Sequence, residues 1–341
     1  MNRISILFIH AFVVCLVVCH VASAADIRLK TDETTRWKIY TIQQGDTVVK
    51  LVPDAGCNVM SLVVDGVEYF HQPEELAKLP GVSCGNPILY PTPNRVKKSK
   101  FTFRGREFVL DENENRNFIH GLVNRSSWTV VGMSVGANHA SVTCRVSFRE
   151  GTDEFAKFPL THDFNMTVRV SDRAVRWTYE VDNSAGKDPI PFGVAFHPYF
   201  AYQGERADTY LTIPATHMME STSQLLPTGT LIPAADLPHA LKSPTPLKDS
   251  KFDTVFFGLT NNEPTVIDFR GANRKVALFA SDEFTHLVVW TPDRGYFGVE
   301  NQTCSTDAHN LASNGFEKEA HLQVCEPGQK MSGWVEYKIE Q

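Results

Sequence analysis

Apolar and polar residues alternate with a period of two along most of this chain. That spacing places one face of a β-strand in a core and the other in solvent. We predict strands at 37–42, 48–51, 59–70, 101–103, 107–110, 141–148, 164–170, 174–181, 210–213, 265–269, 276–280, 286–290, 296–300 and 334–339.

Turn signals join these strands into hairpins. Asp65-Gly66 and Arg104-Gly105 each separate two apolar runs by two residues, which is typical of a tight antiparallel turn. Helical patterns are predicted only at 73–78 and 310–319, and the proline-rich stretch 226–246 is predicted to be a surface loop. The sequence therefore predicts an all-β protein, a large antiparallel β-sandwich.

The N-terminus resembles an export signal. Arg3 precedes the apolar run 4–18, and Ala-Ser-Ala at 22–24 is the small-x-small pattern that a signal peptidase accepts. We therefore expect a signal peptide at 1–24 and a single mature domain at 25–341, secreted or periplasmic, without stable insertion in a membrane. A retained membrane anchor is the alternative, because the run is nearly long enough to span a bilayer.

Composition excludes few classes of protein. With 341 residues, 42% apolar and 21% charged, and a net charge of −6, the chain is typical of a globular protein, and its acidity argues against a nucleic acid partner. The five cysteines after the signal form no CxxC pair, and we predict no metal site and no cofactor. We interpret these cysteines as small buried hydrophobic residues, two of which could form one disulfide: Cys57, Cys84, Cys144, Cys304 and Cys325.

Two ionisable residues stand out at the ends of aromatic, apolar runs. His197 lies in Phe192–Phe200, and Glu300 ends the run that begins at Tyr296. A histidine and a carboxylate brought to one cleft form a general acid and base without a metal. We expect the histidine pKa to be raised by carboxylate charge, and the glutamate to be kept ionised by hydrogen bonds and a cation such as Arg95.

Other polar residues are candidates for binding a substrate. Three prolines in 87–93 precede Asn94 and Arg95, which fixes the place of a planar guanidinium suited to sugar hydroxyls or a carboxylate. A structural salt bridge is the alternative role of Arg95. His120 precedes a glycine at the end of a short apolar stretch. Aromatic residues that could form a floor under a sugar ring are Phe196, Tyr199 and Trp290.

The ordered set of these segments resembles the aldose 1-epimerases, the galactose mutarotase family, over nearly all of the chain from about Trp37. The resemblance implies that Glu300 is the catalytic base and His197 the catalytic acid. It further implies that His120, Arg95 with Asn94, and Asp253 bind a small-molecule aldose whose α and β anomers are interconverted, while the preferred sugar and the oligomeric state stay open.

Alternative functions remain at this stage. A hexose-6-phosphate epimerase would use the same pair and hold the phosphate with cations such as Lys97, Lys98 and Lys100. A non-catalytic carbohydrate-binding sandwich would hold a sugar without turning it over. A glycosidase would need two carboxylates, for which Asp253 and Glu300 are the candidates.

Overall fold

The computed structural model describes residues 24–237, 241–260 and 262–341, and antiparallel strands dominate them. The first fourteen strands are β1 (Asp26–Thr31), β2 (Lys38–Gln44), β3 (Thr47–Val52), β4 (Asn58–Val64), β5 (Val67–Glu68), β6 (Ile88–Leu89), β7 (Arg95–Val96), β8 (Lys100–Phe103), β9 (Arg106–Val109), β10 (Phe118–Ile119), β11 (Thr129–Val135), β12 (His139–Phe148), β13 (His162–Ser171) and β14 (Ala174–Asp182). The remainder are β15 (Ile190–Phe192), β16 (Ala195–Phe196), β17 (Phe200–Ala201), β18 (Thr209–Thr212), β19 (Ala215–Ser221), β20 (Pro227–Pro233), β21 (Thr245–Pro246), β22 (Asp253–Leu259), β23 (Thr265–Phe269), β24 (Arg274–Ala280), β25 (His286–Trp290), β26 (Tyr296–Gln302), β27 (Gln323–Cys325) and β28 (Lys330–Glu340).

Helical structure in the described part is limited to short pieces. The α-helices are α1 (Asp153–Lys157), α2 (Ala308–Ser313) and α3 (Glu317–Ala320). Single 3₁₀ turns occur at Pro53–Ala55, Leu76–Lys78, Lys97–Ser99, Val123–Arg125, Arg206–Asp208, Ala234–Asp236 and Arg270–Ala272.

Two large antiparallel sheets form the body of the protein. The nine-stranded sheet has the order β11-β12-β13-β14-β28-β24-β23-β18-β21. The eight-stranded sheet has the order β20-β19-β22-β25-β26-β16-β6, and β17 also pairs with β26. A five-stranded sheet, β1 to β5, adds to these. The prediction of an all-β antiparallel fold is confirmed.

Aromatic side chains fill the space between the two large sheets. Trp177 of β14 contacts Phe196 of β16 with ring centroids 6.0 Å apart, and Phe269 of β23 contacts Phe297 of β26 at 6.2 Å. These rings belong to one buried cluster that includes residues from Tyr40 to Ile339. Because aromatic rings bury large apolar areas, this layer fixes the sheet that carries the site against the rest of the core.

The predicted hairpins are present, and their turns have the backbone conformation that the sequence indicates. Asp65 and Gly66 have φ of 50° and 76°, and Arg104 and Gly105 have φ of 47° and 83°. Positive φ at both central residues matches the twist of the flanking strands, and glycine adopts it without steric cost.

Several local predictions were wrong. The helix predicted at 73–78 is only a 3₁₀ turn, and the one predicted at 310–319 is split into α2 and α3 at Gly315, whose φ is 87°. The stretch 226–246 is not simply a loop, since it contains β20 and β21. The described cysteines are free thiols and buried, so the disulfide left open is not formed.

The predicted signal peptide, 1–24, lies outside the described residues except for Ala24. It therefore stays a prediction, as does a single domain at 25–341. Within the described ranges, no helix has the length and apolar character needed to cross a membrane.

The packing between sheets gives a matched test of stability. Val142 on β12 is fully buried, whereas Val131 on the neighbouring β11 is 45% exposed. We expect Val142→Ala to lower the free energy of unfolding by about 2 kcal/mol, because it removes two methyl groups and leaves a cavity. Val131→Ala should change it by less than about 0.5 kcal/mol. Urea denaturation of both variants checks this, and equal losses would contradict the burial described here.

Candidate functional site

Four adjacent strands of the eight-stranded sheet, or the residues directly after them, contribute side chains to the same cleft. Asp253 begins β22 and pairs with Trp290 at the end of β25, while Val288 of β25 pairs with Glu300 of β26. His197 follows β16, which pairs with β26 through Ala195 and Gln302. Neighbouring strands lie about 4.8 Å apart, so this register brings together residues distant in the chain.

A small separate ladder supplies the opposite side of the cleft. Arg95 in β7 pairs with Ile119 in β10, and His120 follows directly, donating its backbone N–H to the Asn94 carbonyl over 3.0 Å. Asn94 and His120 both have positive φ, 56° and 73°. The Asn94 side-chain oxygen accepts hydrogen bonds from the Arg95 backbone N–H at 2.9 Å and from its Nη1 at 3.2 Å. Asn94 therefore orients the guanidinium.

All six predicted site residues line one cleft of about 380 Å³: Asn94, Arg95, His120, His197, Asp253 and Glu300. Its central feature is the contact between His197 Nε2 and Glu300 Oε1, 3.3 Å apart. Both residues are almost completely buried, with exposed fractions of 5% and 2%. The sequence thus correctly predicted that these residues meet, although their functional roles are not tested by their position.

The expected protonation of this pair was wrong. Burial lowers the pKa of His197 to about 4. Burial, with the charge of Asp253 as a second cause, raises the pKa of Glu300 well above its ordinary value, against smaller opposing effects of Gln302 and Arg95. Both shifts favour the uncharged forms, so we interpret the 3.3 Å contact as one between a carboxylic acid and a neutral imidazole rather than an ion pair.

Arg95 has a partner that the sequence did not reveal. Its Nε and Nη2 donate to the two carboxylate oxygens of Glu114, each over 2.8 Å. This bidentate pair lies in the cleft, with side chains 12% and 27% exposed. The principal anion of Arg95 is therefore Glu114 and not Glu300. Glu114 was missed because it lies in the uniformly polar segment 111–116, where no periodicity marks one carboxylate.

Asp253 lines the cleft, and although the residue as a whole is exposed, neighbouring atoms surround its carboxyl group. Burial by the surrounding atoms is the main cause that raises its pKa, Glu114 adds to the rise, and Arg95 opposes it. The cleft thus brings three carboxyl groups near one guanidinium.

The second histidine lies against the first. The rings of His120 and His197 meet edge to face, with centroids 5.2 Å apart. Burial, followed by the charges of His197 and Arg95, lowers the pKa of His120 well below its ordinary value. The Nδ1 atoms of both rings are buried without a hydrogen-bond partner in the protein. Polar atoms in such positions are suited to bonding with a ligand or with water.

Aromatic residues form one wall of the cleft. Tyr199 stacks on His197 at 4.9 Å and meets Trp290 edge to face at 5.8 Å, and Tyr296 adjoins both aromatic rings. The predictions for Tyr199 and Trp290 are in this respect consistent with the structure. Phe196 is instead fully buried and stacks on Phe284 in the core, so its proposal as a floor was wrong.

Gly298 makes room for the Glu300 side chain. A Cβ atom at position 298 would lie 3.1 Å from Glu300 Oε1 and 3.6 Å from the Trp290 ring. Residues two apart on a strand share a face, so any larger side chain here would compete with the carboxyl group for space.

The lysines considered for phosphate binding lie elsewhere. Lys97, Lys98 and Lys100 line a separate cavity of about 710 Å³ that shares no lining residue with the cleft. In the ranges that the structure covers, no group of three or more His, Cys, Asp or Glu side chains is arranged to hold a metal ion.

Known proteins share this architecture. The aldose 1-epimerase family matches residues 38–338. A galactose mutarotase-like protein of Clostridium acetobutylicum has the same fold, with a TM-score of 0.83 and 20% identity over 93% of this chain and 99% of that one. Galactose 1-epimerase of Lactobacillus acidophilus superposes with a TM-score of 0.74 and 15% identity over 93% and 99%. The uncharacterized Escherichia coli protein YihR is 25% identical over 161 residues, 46% of this chain and about half (48%) of that protein.

The fold is therefore that of the galactose mutarotase-like proteins. Because the family match extends over most of its length, the chain belongs to the aldose 1-epimerase family. Membership supports a mutarotase-like isomerase acting on sugars at the level of the family.

The buried carboxyl group predicts a pH-dependent difference in stability. The pKa of Glu300 in the folded state lies above the value of about 4.3 of an unfolded chain, so the folded protein binds this proton more tightly. The free energy of unfolding of wild type therefore falls as pH rises above about 4.3, because the unfolded chain releases this proton first. Glu300→Gln has no proton to release at this position and does not show that decrease. We expect the variant to have the higher Tm at pH 7, with the difference shrinking toward pH 4.

Thermal unfolding across this pH range measures the effect. Glu107→Gln, which removes the same charge from an exposed residue of β9, is the control and should show little difference at any pH. A difference between Glu300→Gln and wild type that does not vary with pH would contradict the perturbed carboxyl group.

Proposed function

We propose that this protein is an aldose 1-epimerase that interconverts the α and β anomers of a free hexose by acid and base catalysis of ring opening and closure. The observation that carries the proposal is the 3.3 Å contact of His197 with Glu300 inside a cleft lined with sugar-binding chemistry. A base at O1 and an acid at O5, two oxygens bonded to the same carbon, suffice for this reaction.

Ring opening uses the charged form of the pair. Ionised Glu300 removes the proton from the C1 hydroxyl, and protonated His197 donates a proton to the ring oxygen O5 as the C1–O5 bond breaks. The products are the open-chain aldehyde, neutral His197 and protonated Glu300. Rotation about the C1–C2 bond then presents the other face of the aldehyde.

Ring closure reverses both proton transfers. The O5 hydroxyl gives its proton to His197 while it attacks C1, and Glu300 returns a proton to O1. The pair recovers its starting charges, so a complete turnover needs no proton from solvent. Burial favours the uncharged form of the pair, which has the same number of protons as the charged form. Binding of the pyranose therefore needs only the transfer of one proton from Glu300 to His197.

The remaining residues hold the sugar. Arg95, oriented by Asn94, and the free carboxyl group of Asp253 offer donors and acceptors to sugar hydroxyls, and His120 offers an unpaired ring nitrogen. Trp290 and Tyr199 provide apolar ring faces for the C–H groups of a pyranose. These contacts would place C1 and O5 at the acid and base.

The structure favours an unphosphorylated substrate over the hexose-6-phosphate alternative. Extra cations are needed to hold a phosphate, and Lys97, Lys98 and Lys100 line a different cavity from the catalytic pair.

Export to the periplasm or the cell exterior is the second part of the proposal. It rests on the sequence of residues 1–24 alone, where a charged start, an apolar run and a small-x-small site follow one another. N-terminal sequencing of the mature protein should find Ala25 first, whereas a chain that keeps Met1 would contradict cleavage.

Removal of either proton-transfer group tests the reaction. We expect Glu300→Gln and His197→Asn each to lower kcat/KM for mutarotation of glucose or galactose by about 10²- to 10⁴-fold, since each loses one proton transfer in the transition state. Polarimetry of freshly dissolved single anomers measures the rate. Glu107→Gln and His139→Asn, which replace the same residue types away from the cleft, should retain wild-type rates.

Binding separates the enzyme from a carbohydrate-binding module. An enzyme turns over sugar in the wild type and loses that rate, with its fold intact, in Glu300→Gln. Calorimetric sugar binding by a wild type that leaves the polarimetric rate unchanged would overturn the proposed function in favour of the module.

A further inference from the structure

We propose that Glu114 is a specificity-determining residue that reserves the cleft for uncharged sugars and excludes sugars carrying a carboxylate or phosphate. The proposal rests on the proposed function and deepens it by naming the charge class of the substrate.

Glu114 occupies the hydrogen-bonding edge of the guanidinium that an anionic substrate would otherwise use. The Nε and Nη2 groups of Arg95 form the planar fork that matches a carboxylate or phosphate, and both already donate to Glu114 over 2.8 Å. The Nη1 group is shared with Asn94 over 3.2 Å. Glu114 therefore both neutralises the guanidinium and occupies the two donors that an anionic substrate would use.

The position of Glu114 is fixed by its own backbone. Its N–H donates to the Asn117 carbonyl over 2.9 Å, and its carbonyl accepts from the Asn117 N–H over 2.7 Å. The Asn117 side chain in turn accepts from the Lys98 backbone N–H at 3.0 Å. These bonds fix the backbone at Glu114 beside Arg95, and the two hydrogen bonds to the guanidinium then hold the carboxylate in place.

The rest of the cleft offers no compensating cation. Arg95 is the one lysine or arginine among the described residues that line it, and Glu114, Asp253 and Glu300 are the carboxyl groups. Burial is the main cause that raises the pKa of Asp253 and of Glu300, and in each case a second carboxylate adds to the rise. The site thus already disfavours its own negative charges, and a charged substituent on the sugar would add another.

The nearby lysines do not alter this balance. Lys97, Lys98 and Lys100 face the separate 710 Å³ cavity, and the carboxylate of Asp307 accepts the Lys97 backbone N–H over 3.0 Å on that side. Positive charge close to Arg95 in the sequence is therefore directed away from the sugar.

The test is a ratio of rates. We expect wild type to have a kcat/KM for glucuronate and for glucose 6-phosphate about tenfold or more below that for glucose, and galacturonate to rank below galactose likewise. Glu114→Gln keeps the shape and an oxygen acceptor while it removes the charge, so the ratio of anionic to neutral sugar should rise about tenfold. The ratio is the readout because loss of structure alone would lower both rates together.

Glu326→Gln is the matched control. Glu326 also holds an arginine through both carboxylate oxygens, Arg104, but at an exposed surface site outside the cleft. Glu326→Gln changes the net charge of the protein by the same amount as Glu114→Gln. It should leave the rates for anionic and neutral sugars, and their ratio, at wild-type values.

The salt dependence of the wild-type rates tests the inference even if Glu114→Gln fails to fold. Repulsion in an open cleft is screened by salt, so the wild-type ratio of anionic to neutral sugar should rise between about 0.01 M and 1 M ionic strength. Two outcomes would overturn the inference and leave the proposed function standing. One is a wild type that turns over anionic sugars as fast as neutral ones, and the other is a ratio that neither salt nor Glu114→Gln changes. No turnover of neutral hexoses would instead refute the proposed function.

Discussion

The contact between the His197 imidazole and the Glu300 carboxyl group is the interaction on which the rest of the cleft depends. Removing both groups from water destabilises each charge, so the pair holds one proton between two neutral partners. That uncharged pair is also the form that the proposed mechanism reaches at the open-chain aldehyde. In that mechanism the hydroxyls of a bound pyranose would stabilise the charged form, which would couple catalysis to complete binding.

The sheet architecture holds these two residues in contact. His197 and Glu300 are 103 positions apart, yet the pairing of Ala195 in β16 with Gln302 in β26 brings them side by side. Gly298 leaves space for the carboxyl group, and the aromatic layer behind it resists any shift of the strands. A scaffold of this kind holds two desolvated groups at a fixed distance, which loops alone would hold less accurately.

The sequence predicted those parts of the molecule that depend on local pattern. Strands with one buried face, such as β12 and β13, were found because burial imposes alternation, whereas β1 and β11 were missed because their side chains are mostly exposed. His197 and Glu300 were found because each is an isolated ionisable group in an apolar run. Glu114 and the directions of the pKa shifts could not be predicted, since both depend on which distant segments pack around a group.

Charge in the cleft connects the chemistry with the choice of substrate. Burial, with the charge of Asp253 as a second cause, raises the pKa of Glu300, and a base whose pKa lies closer to the working pH transfers protons more effectively. In the proposed function, the charge of Asp253 also repels an anionic sugar, so one carboxylate contributes both to the pKa of the base and to the selection of uncharged substrates. Glu114 allows both at once, because it neutralises Arg95 without contacting the acid and base pair and leaves Asp253 free for sugar hydroxyls. A cleft in which Arg95 were unpaired would favour anions and would also hold Glu300 in a more acidic, less basic form.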